Sequence, residues 1–150
     1  MGGEVLLAFD VPGIPRPQGS KRGFARGGKV VLLEMSKGLA DWRSIVAYTA
    51  REKWMTRALM EGPLEVGIVF IFPRPKSHYI AGNPARGLRP NAPLYHSGTP
   101  DLSKLLRSTE DALTGVVWKD DALVARYYPA EKRYGDSPGA NITISRPALY

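Results

Sequence analysis

Cysteine is absent from this chain of 150 residues, and histidine occurs only twice. Disulfides, thiolate metal sites and thiol catalysis are therefore excluded, and the composition is compatible with a reducing compartment. No Gly-x-Ser-x-Gly elbow is present, so acyl transfer through a serine nucleophile has no support. Gly27-Gly28 leads into Lys29-Val30 without the Lys-Ser/Thr ending of a phosphate-binding loop. The longest apolar run, Val66–Phe72, is far too short to cross a bilayer. The first residues show no basic stretch followed by an apolar one, so no secretory signal is expected. Acids are the scarcer charge, 14 Asp+Glu against 21 Lys+Arg, for a net charge of +7. With 43% hydrophobic and 23% charged residues, the chain reads as one soluble, basic domain over residues 1–150.

The cations are unevenly spread. Val11 to Leu33 holds Arg16, Lys21, Arg22, Arg26 and Lys29 with no acid, and Pro73 to Arg107 holds Arg74, Lys76, Arg86, Arg89, Lys104 and Arg107 against Asp101 alone. Both stretches are rich in Gly and Pro, so they read as loops presenting cations to solvent. Such loops suit a polyanionic backbone, whose binding is mostly phosphate neutralisation with counterion release. A generic solubilising surface is the other reading.

Glu4–Val11 reads as a strand ending at the Pro12-Gly13 turn, and Lys29–Leu33 as a second short strand. Ser36 is the expected cap of a helix reaching about Leu59, with Leu39, Trp42, Ile45, Val46, Thr49 and Trp54 at helical spacing. Leu64–Phe72 is the clearest strand, apolar on both faces and so placed mid-sheet. Pro73–Pro100 holds six prolines and is expected to be a functional loop, ordered by DNA, or a disordered one. Asp101 is a good N-cap for a second helix with Leu102, Leu105, Leu106, Thr109, Ala112 and Leu113 as its buried stripe, and Gly115 as its stop. Ala122–Tyr128 and Asn141–Ser145 read as strands, with Glu131–Gly139 a polar turn between them. The expected fold is α+β, a mixed β-sheet packed against two principal helices. Trp42 and Trp118 read as core.

Three acids gather around the second helix: Asp101 at its start, and Asp120-Asp121 just past its end. Adjacent carboxylates repel unless a cation lies among them. Hard oxygen donors suit Mg²⁺, which takes few carboxylates and keeps waters. A divalent ion among cationic loops is the chemistry of phosphodiester cleavage. Each residue also has a structural reading: Asp101 as cap, Asp120-Asp121 as a turn, Lys104 and Arg107 as solvated cations on the polar helix face.

At these residues the sequence resembles the RusA family of Holliday-junction resolving endonucleases. The resemblance is carried by Thr99-Pro100-Asp101-Leu102-Ser103-Lys104-Leu105-Leu106-Arg107, then Asp111-Ala112-Leu113-Thr114-Gly115, then Trp118-Lys119-Asp120-Asp121. Family members typically read Pro-Asp-Leu-Asp-Asn, two residues, Lys, then Asp-Ala-Leu, then an Asp-Asp pair. Pro12-Gly13-Ile14-Pro15 and Gly62-Pro63-Leu64 agree more weakly, and the whole likeness spans roughly residues 4 to 145. It implies a homodimer that cuts four-way DNA junctions with Mg²⁺, Mn²⁺ being an alternative ion, in the cytoplasm of a bacterium or of a phage-infected cell. It also implies that Asp101, Asp121 and Asp120 belong to the metal site, and that Arg107 stands for a catalytic lysine.

Two positions depart from the family pattern. Ser103 replaces a metal-site aspartate, able to hold a metal-bound water but without charge, and Lys104 replaces the usual Asn. Arg107 for Lys keeps the charge and changes shape and hydration. Three readings follow: a weak enzyme, a site completed by Glu110 or Asp111, or a binder that no longer cuts. The leading reading is a metal-dependent junction endonuclease with Arg16, Lys21, Arg22, Arg26, Arg74, Lys76 and Lys104 on the DNA. A non-cleaving junction-binding module is the alternative, and a basic RNA-associated domain the third. The first helix, with Trp42 and Trp54, is the candidate dimer surface.

Overall fold

The computed structural model describes residues 3–17, 28–36, 41–55 and 57–149. Strand β1 (Val5–Pro12) alternates, with Phe9 and Val11 buried and Ala8 and Asp10 exposed, as a half-covered strand should. It pairs antiparallel with β4 (Gly139–Ser145), Phe9 opposite Ile142 and Val11 opposite Ala140. A Cβ on Gly139 would lie 2.0 Å from the Val11 carbonyl oxygen, so only glycine allows β4 to start flush against β1.

Strand β2 (Leu64–Phe72) lies inside the sheet, whose order is β1-β4-β2-β3. It runs antiparallel to β4 and parallel to β3 (Val124–Tyr134), so the sheet is mixed. Pro129 has no N–H to give a ladder, which suits β3's place at the edge. The buried Glu65 carboxylate is answered by Arg126 Nε at 3.1 Å on β3.

Three helices accompany the sheet: α1 (Gly28–Ser36), α2 (Trp42–Trp54) and α3 (Leu102–Leu113). The Trp42 indole of α2 is fully buried against Phe70 of β2, centroids 6.4 Å apart, and donates to Thr109 Oγ1 of α3 at 3.2 Å. On α3 the buried residues are Leu105, Ser108, Thr109, Ala112 and Leu113, spaced as one helical stripe. Trp118 is buried too, its indole held by Thr114 Oγ1 at 2.9 Å. Gly115 follows the helix at φ 81, as expected of its left-handed stop.

Four expectations change. Lys29–Leu33 is helical, within α1: a run of four apolar residues carries no period, and its β-branched members argued wrongly for a strand. Ser36 ends α1, whereas α2 is capped by Asp41, whose carboxylate accepts from Ser44 N at 2.9 Å, and α2 stops at Trp54. Glu131–Tyr134 belongs to β3, leaving a shorter turn before Gly139; charged residues are at home on an edge strand. Trp42 and Trp54 face the core and offer no dimer surface.

The proline-rich stretch is built by its own bonds. Three short 3₁₀ turns, Lys76–His78, Ile80–Gly82 and Pro84–Arg86, follow one another. Arg74 donates to the Pro93 carbonyl at 2.7 Å, Arg89 to the Ser77 and Tyr79 carbonyls, and His96 N to Lys132 O at 3.0 Å on β3.

Leu105 is the apolar anchor of α3, and Leu105→Ala is expected to lower the unfolding free energy by about 2–5 kcal/mol. Ser103→Ala, on the exposed face, should change it by less than about 0.5 kcal/mol. Urea midpoints at constant m-value distinguish the two.

Candidate functional site

Asp101 has the extended backbone of an N-cap, and Leu105 N closes the first helical turn on its carbonyl at 3.1 Å. Its carboxylate makes no capping bond. The side chain is exposed, with Lys104 Nζ 3.6 Å away. The expected capping role is thus filled by the backbone alone, and the acid is left at the positive end of the helix, where an anion is favoured.

Downstream of the first turn, Ser103, Arg107 and Glu110 stand at i, i+4 and i+7, one stripe along the outer face. Ser103 and Glu110 are about 10 Å apart along the axis. Ser103 and Arg107 are exposed, and Arg107 makes no ion pair among the described residues. Asp111 lies off this stripe, toward α2, where Arg43 Nη2 reaches it at 3.9 Å. Asp120 and Asp121 are exposed beyond the Trp118 anchor; Asp120 Oδ1 accepts from Ala122 N at 2.9 Å and starts the short turn Asp121–Leu123.

Two residues of β3 that the sequence reading missed hold this region. Lys132 Nζ donates to the Gly98 and Pro100 carbonyls at 2.6 and 2.9 Å, fixing the approach to Asp101. The Tyr127 hydroxyl donates a very short bond to Glu110 Oε2. Burial first, then that bond and the charges of Glu110 and Asp121, push the Tyr127 phenol far above its ordinary value. Glu110 is therefore committed to Tyr127, with Asp121 within electrostatic reach. The sequence reading set Lys132 in a polar turn, whereas it lies in β3.

Among the described residues, no three of His, Cys, Asp and Glu gather into a group able to hold a metal ion. Asp101, Asp120 and Asp121 offer exposed oxygen donors without forming a closed shell in one chain. That arrangement suits only an ion that keeps its waters and takes substrate oxygens, as magnesium does.

Of the expected DNA contacts, Lys21, Arg22 and Arg26 lie outside the described residues. Arg16 is exposed after β1, Lys76 is exposed on the first 3₁₀ turn, and Lys104 is exposed beside Asp101. Arg74 is part-buried, bonded to Pro93 and set 5.4 Å over the Tyr134 ring, so it braces the loop. Beside Asp101 opens a cleft of about 360 Å³ between the segment after β1, the end of β2 and the approach to α3. His96 lines it, stacked on Phe72 at 4.4 Å and tilted against Tyr134 at 5.0 Å. Burial, and then the Lys132 charge, lower the His96 pKa.

The family profile of endodeoxyribonuclease RusA matches residues 12–145. The chain belongs to the RusA endodeoxyribonuclease family. A relative from Bacillus subtilis (strain 168), named uncharacterized protein YqaN, is 27% identical over 139 residues, covering 92% of this chain and 94% of its own. RusA membership places the chain among nucleases acting on DNA, a family that is generally dependent on divalent metal. The match takes in Asp101, Asp120, Asp121 and both β3 residues, Tyr127 and Lys132. None of the helices among the described residues is long and apolar enough to cross a membrane.

Tyr127 should ionise well above 10.0 in a spectrophotometric titration, and Tyr127→Phe should remove that late step. A phenol value raised by folding means that its contribution to stability is complete below pH 10 and is lost as pH climbs toward the raised value. Denaturation on the alkaline side should therefore begin later in Tyr127→Phe, after allowance for the lost hydrogen bond.

Proposed function

We propose that this RusA-family chain is a Mg²⁺-dependent endodeoxyribonuclease that resolves four-way DNA junctions by paired, symmetric nicks, acting as a homodimer. The observation that carries the reading is the Asp101 carboxylate, placed at a helix N-terminus and free of any capping duty. Its exposed oxygens are thereby open to a ligand. Asp120 and Asp121, exposed on the same family block, are the companion acids.

Asp101, Asp120 and Asp121 would supply protein oxygens to the ion, with Ser103 contributing through water. When bound, such an ion neutralises the phosphodiester and lowers the pKa of a coordinated water. The chain's own part is positioning and charge. Arg107 is exposed two turns into α3, without an ion pair among the described residues, and would offer a planar fork to phosphate oxygens as charge grows on them. Lys132 holds the Gly98–Pro100 backbone, which fixes where Asp101 stands. Arg16, Lys76 and Lys104, with Lys21, Arg22 and Arg26, neutralise phosphates on the arms, and Mn²⁺ is the natural substitute ion. The dimer follows from the substrate: a two-fold junction needs two cuts related by the same symmetry.

Ser103 and the pairing of Lys104 with Asp101 favour one second reading. In it the fold binds junctions and does not cut them.

Labelled four-way junctions and matched duplexes, incubated with Mg²⁺, Mn²⁺ or EDTA, separate these readings. Symmetric, metal-dependent nicks confined to the junction are expected, and they should disappear in Asp121→Asn while junction binding persists. Arg107→Ala should slow the cut by about 10²–10³-fold. Retarded but uncut junction, with cleavage gained in Ser103→Asp, would establish the binding module instead.

A further inference from the structure

The proline-rich stretch between β2 and α3 stands off the fold, and the scheme above takes only Lys76 from it. Residues 73–100 hold four cations, Arg74, Lys76, Arg86 and Arg89, and no acid. We infer that Arg89 and Arg86, on the projection formed by residues 79–88 and its flanks, are a second grip on the DNA backbone, separate from the acids and Arg107. The inference rests on the nuclease assignment, and three observations carry it.

The first is the form of the projection. Tyr79 and Leu88 face each other in an antiparallel bridge, Ile80 N donates to Gly87 O at 2.9 Å, and Arg89 N donates to His78 O at 2.9 Å. Asn83 Oδ1 accepts from Ala85 N at 3.0 Å and starts the turn at the tip. The His78 ring, edge-on to Tyr134 at 4.7 Å, fixes the root. Residues 83–91 are exposed throughout, so bonds within the projection hold its shape. A surface already ordered loses little freedom when a ligand arrives.

The second is Arg89 itself. Its Nε donates to the Ser77 and Tyr79 carbonyls at 3.1 and 3.2 Å, which sets the guanidinium in place, while neither Nη atom has a partner among the described residues. A cation that serves only solubility works as well unfixed, and fixing it costs rotamer freedom. A guanidinium held at Nε with its two-pronged end clear is the shape that takes a phosphate through paired N–H···O bonds. Arg74 shows the difference, since it spends Nη1 on the Pro93 carbonyl and packs over Tyr134.

The third is the charge around it. Arg86, three residues earlier, is exposed, and its side chain makes no hydrogen bond or ion pair among the described residues. No acid of the stretch competes for either arginine, whereas Lys104 lies 3.6 Å from Asp101. Two open cations on one rigid support suit successive phosphates of a polyanion. The grip uses no carboxylate and no ion, so it holds DNA whether or not the acids are loaded. Binding and cutting thus have separable determinants on one chain.

Junction binding measured in EDTA over a series of salt concentrations is the test, comparing the wild-type chain with Arg86→Ala, Arg89→Ala and Arg89→Lys. Each phosphate contact contributes about 0.9 to the slope of log K against log salt. Arg86→Ala and Arg89→Ala should each make that slope shallower by about one, and each should weaken binding by roughly tenfold at low salt. Arg89→Lys keeps the charge and loses the fork, so it should keep the wild-type slope and bind several-fold more weakly. The Arg86 side chain has no bond to lose, so its result is independent of any loosening of the projection. Unaltered slopes in both alanine variants overturn the grip, whatever happens to affinity, and leave the nuclease reading standing; Arg89 is then a brace like Arg74. A wild-type chain that retards no junction at any salt overturns the nuclease reading, and the grip with it.

Discussion

The Trp42 indole N–H lies in the core, out of reach of water, and it must be satisfied there. Thr109 Oγ1 does so from α3. That single bond, with the apolar stripe on either side of it, fixes the rotation of α3 about its axis. A turn of one residue, about 100°, would carry a charged side chain into the contact with Trp42 and Phe70. The outward placing of Ser103, Lys104 and Arg107 is thus settled by a contact on the opposite side of the helix. The exposed face of α3 is a consequence of the core.

Strand β3 supplies the second constraint, and it does so at both ends of α3. Its Tyr127 holds Glu110 near the end of the helix, and its Lys132 holds the Pro100 carbonyl at the start. The strand thus runs antiparallel to the helix beside it, and the acids on the two flanking loops are tied to one frame. Edge strands are normally blunted by charge against pairing with another chain. Here Glu131, Lys132 and Arg133 serve that end while Lys132 also organises the approach to Asp101.

The parts of this arrangement that were legible in the sequence are those with a strong period or clear bounds. Leu64–Phe72 is a short β-prone run, apolar on both faces and bounded by Gly62-Pro63 and Pro73, and Leu102–Leu113 repeats its apolar positions for three turns, so strand and helix could be read directly. Val30-Val31-Leu32-Leu33 has no period to read, and only Val31 of the four is buried. Asp41 and Ser36 are both good caps in isolation, and packing of Trp42 decides between them. In the site, family likeness brought Asp101, Asp120, Asp121 and Arg107 to notice. Tyr127 and Lys132 were out of reach because their roles consist of contacts across seventeen and thirty-two residues, which no local pattern encodes. Arg74 shows the converse: a cation in a basic loop that looks like a phosphate contact and instead braces that loop.

The changes at positions 103 and 104 are best weighed by magnitude. Serine for aspartate and lysine for asparagine together shift the local formal charge by two units toward positive, which weakens a cation site and strengthens a phosphate site. Lys104 sits by Asp101. Yet both side chains are more than half exposed, at 69% and 59%, and the atoms are 3.6 Å apart. An exposed pair of this kind is worth at most about 1 kcal/mol and is screened by salt. A divalent ion held at Asp101 would carry twice the charge of the lysine, which would yield to it at little cost. Lys104 would then be free to turn toward a DNA backbone, where a duplex offers a charge every ~1.7 Å along its axis. Ion and substrate would in that case bind together better than either does alone, because each removes the partner that opposes the other.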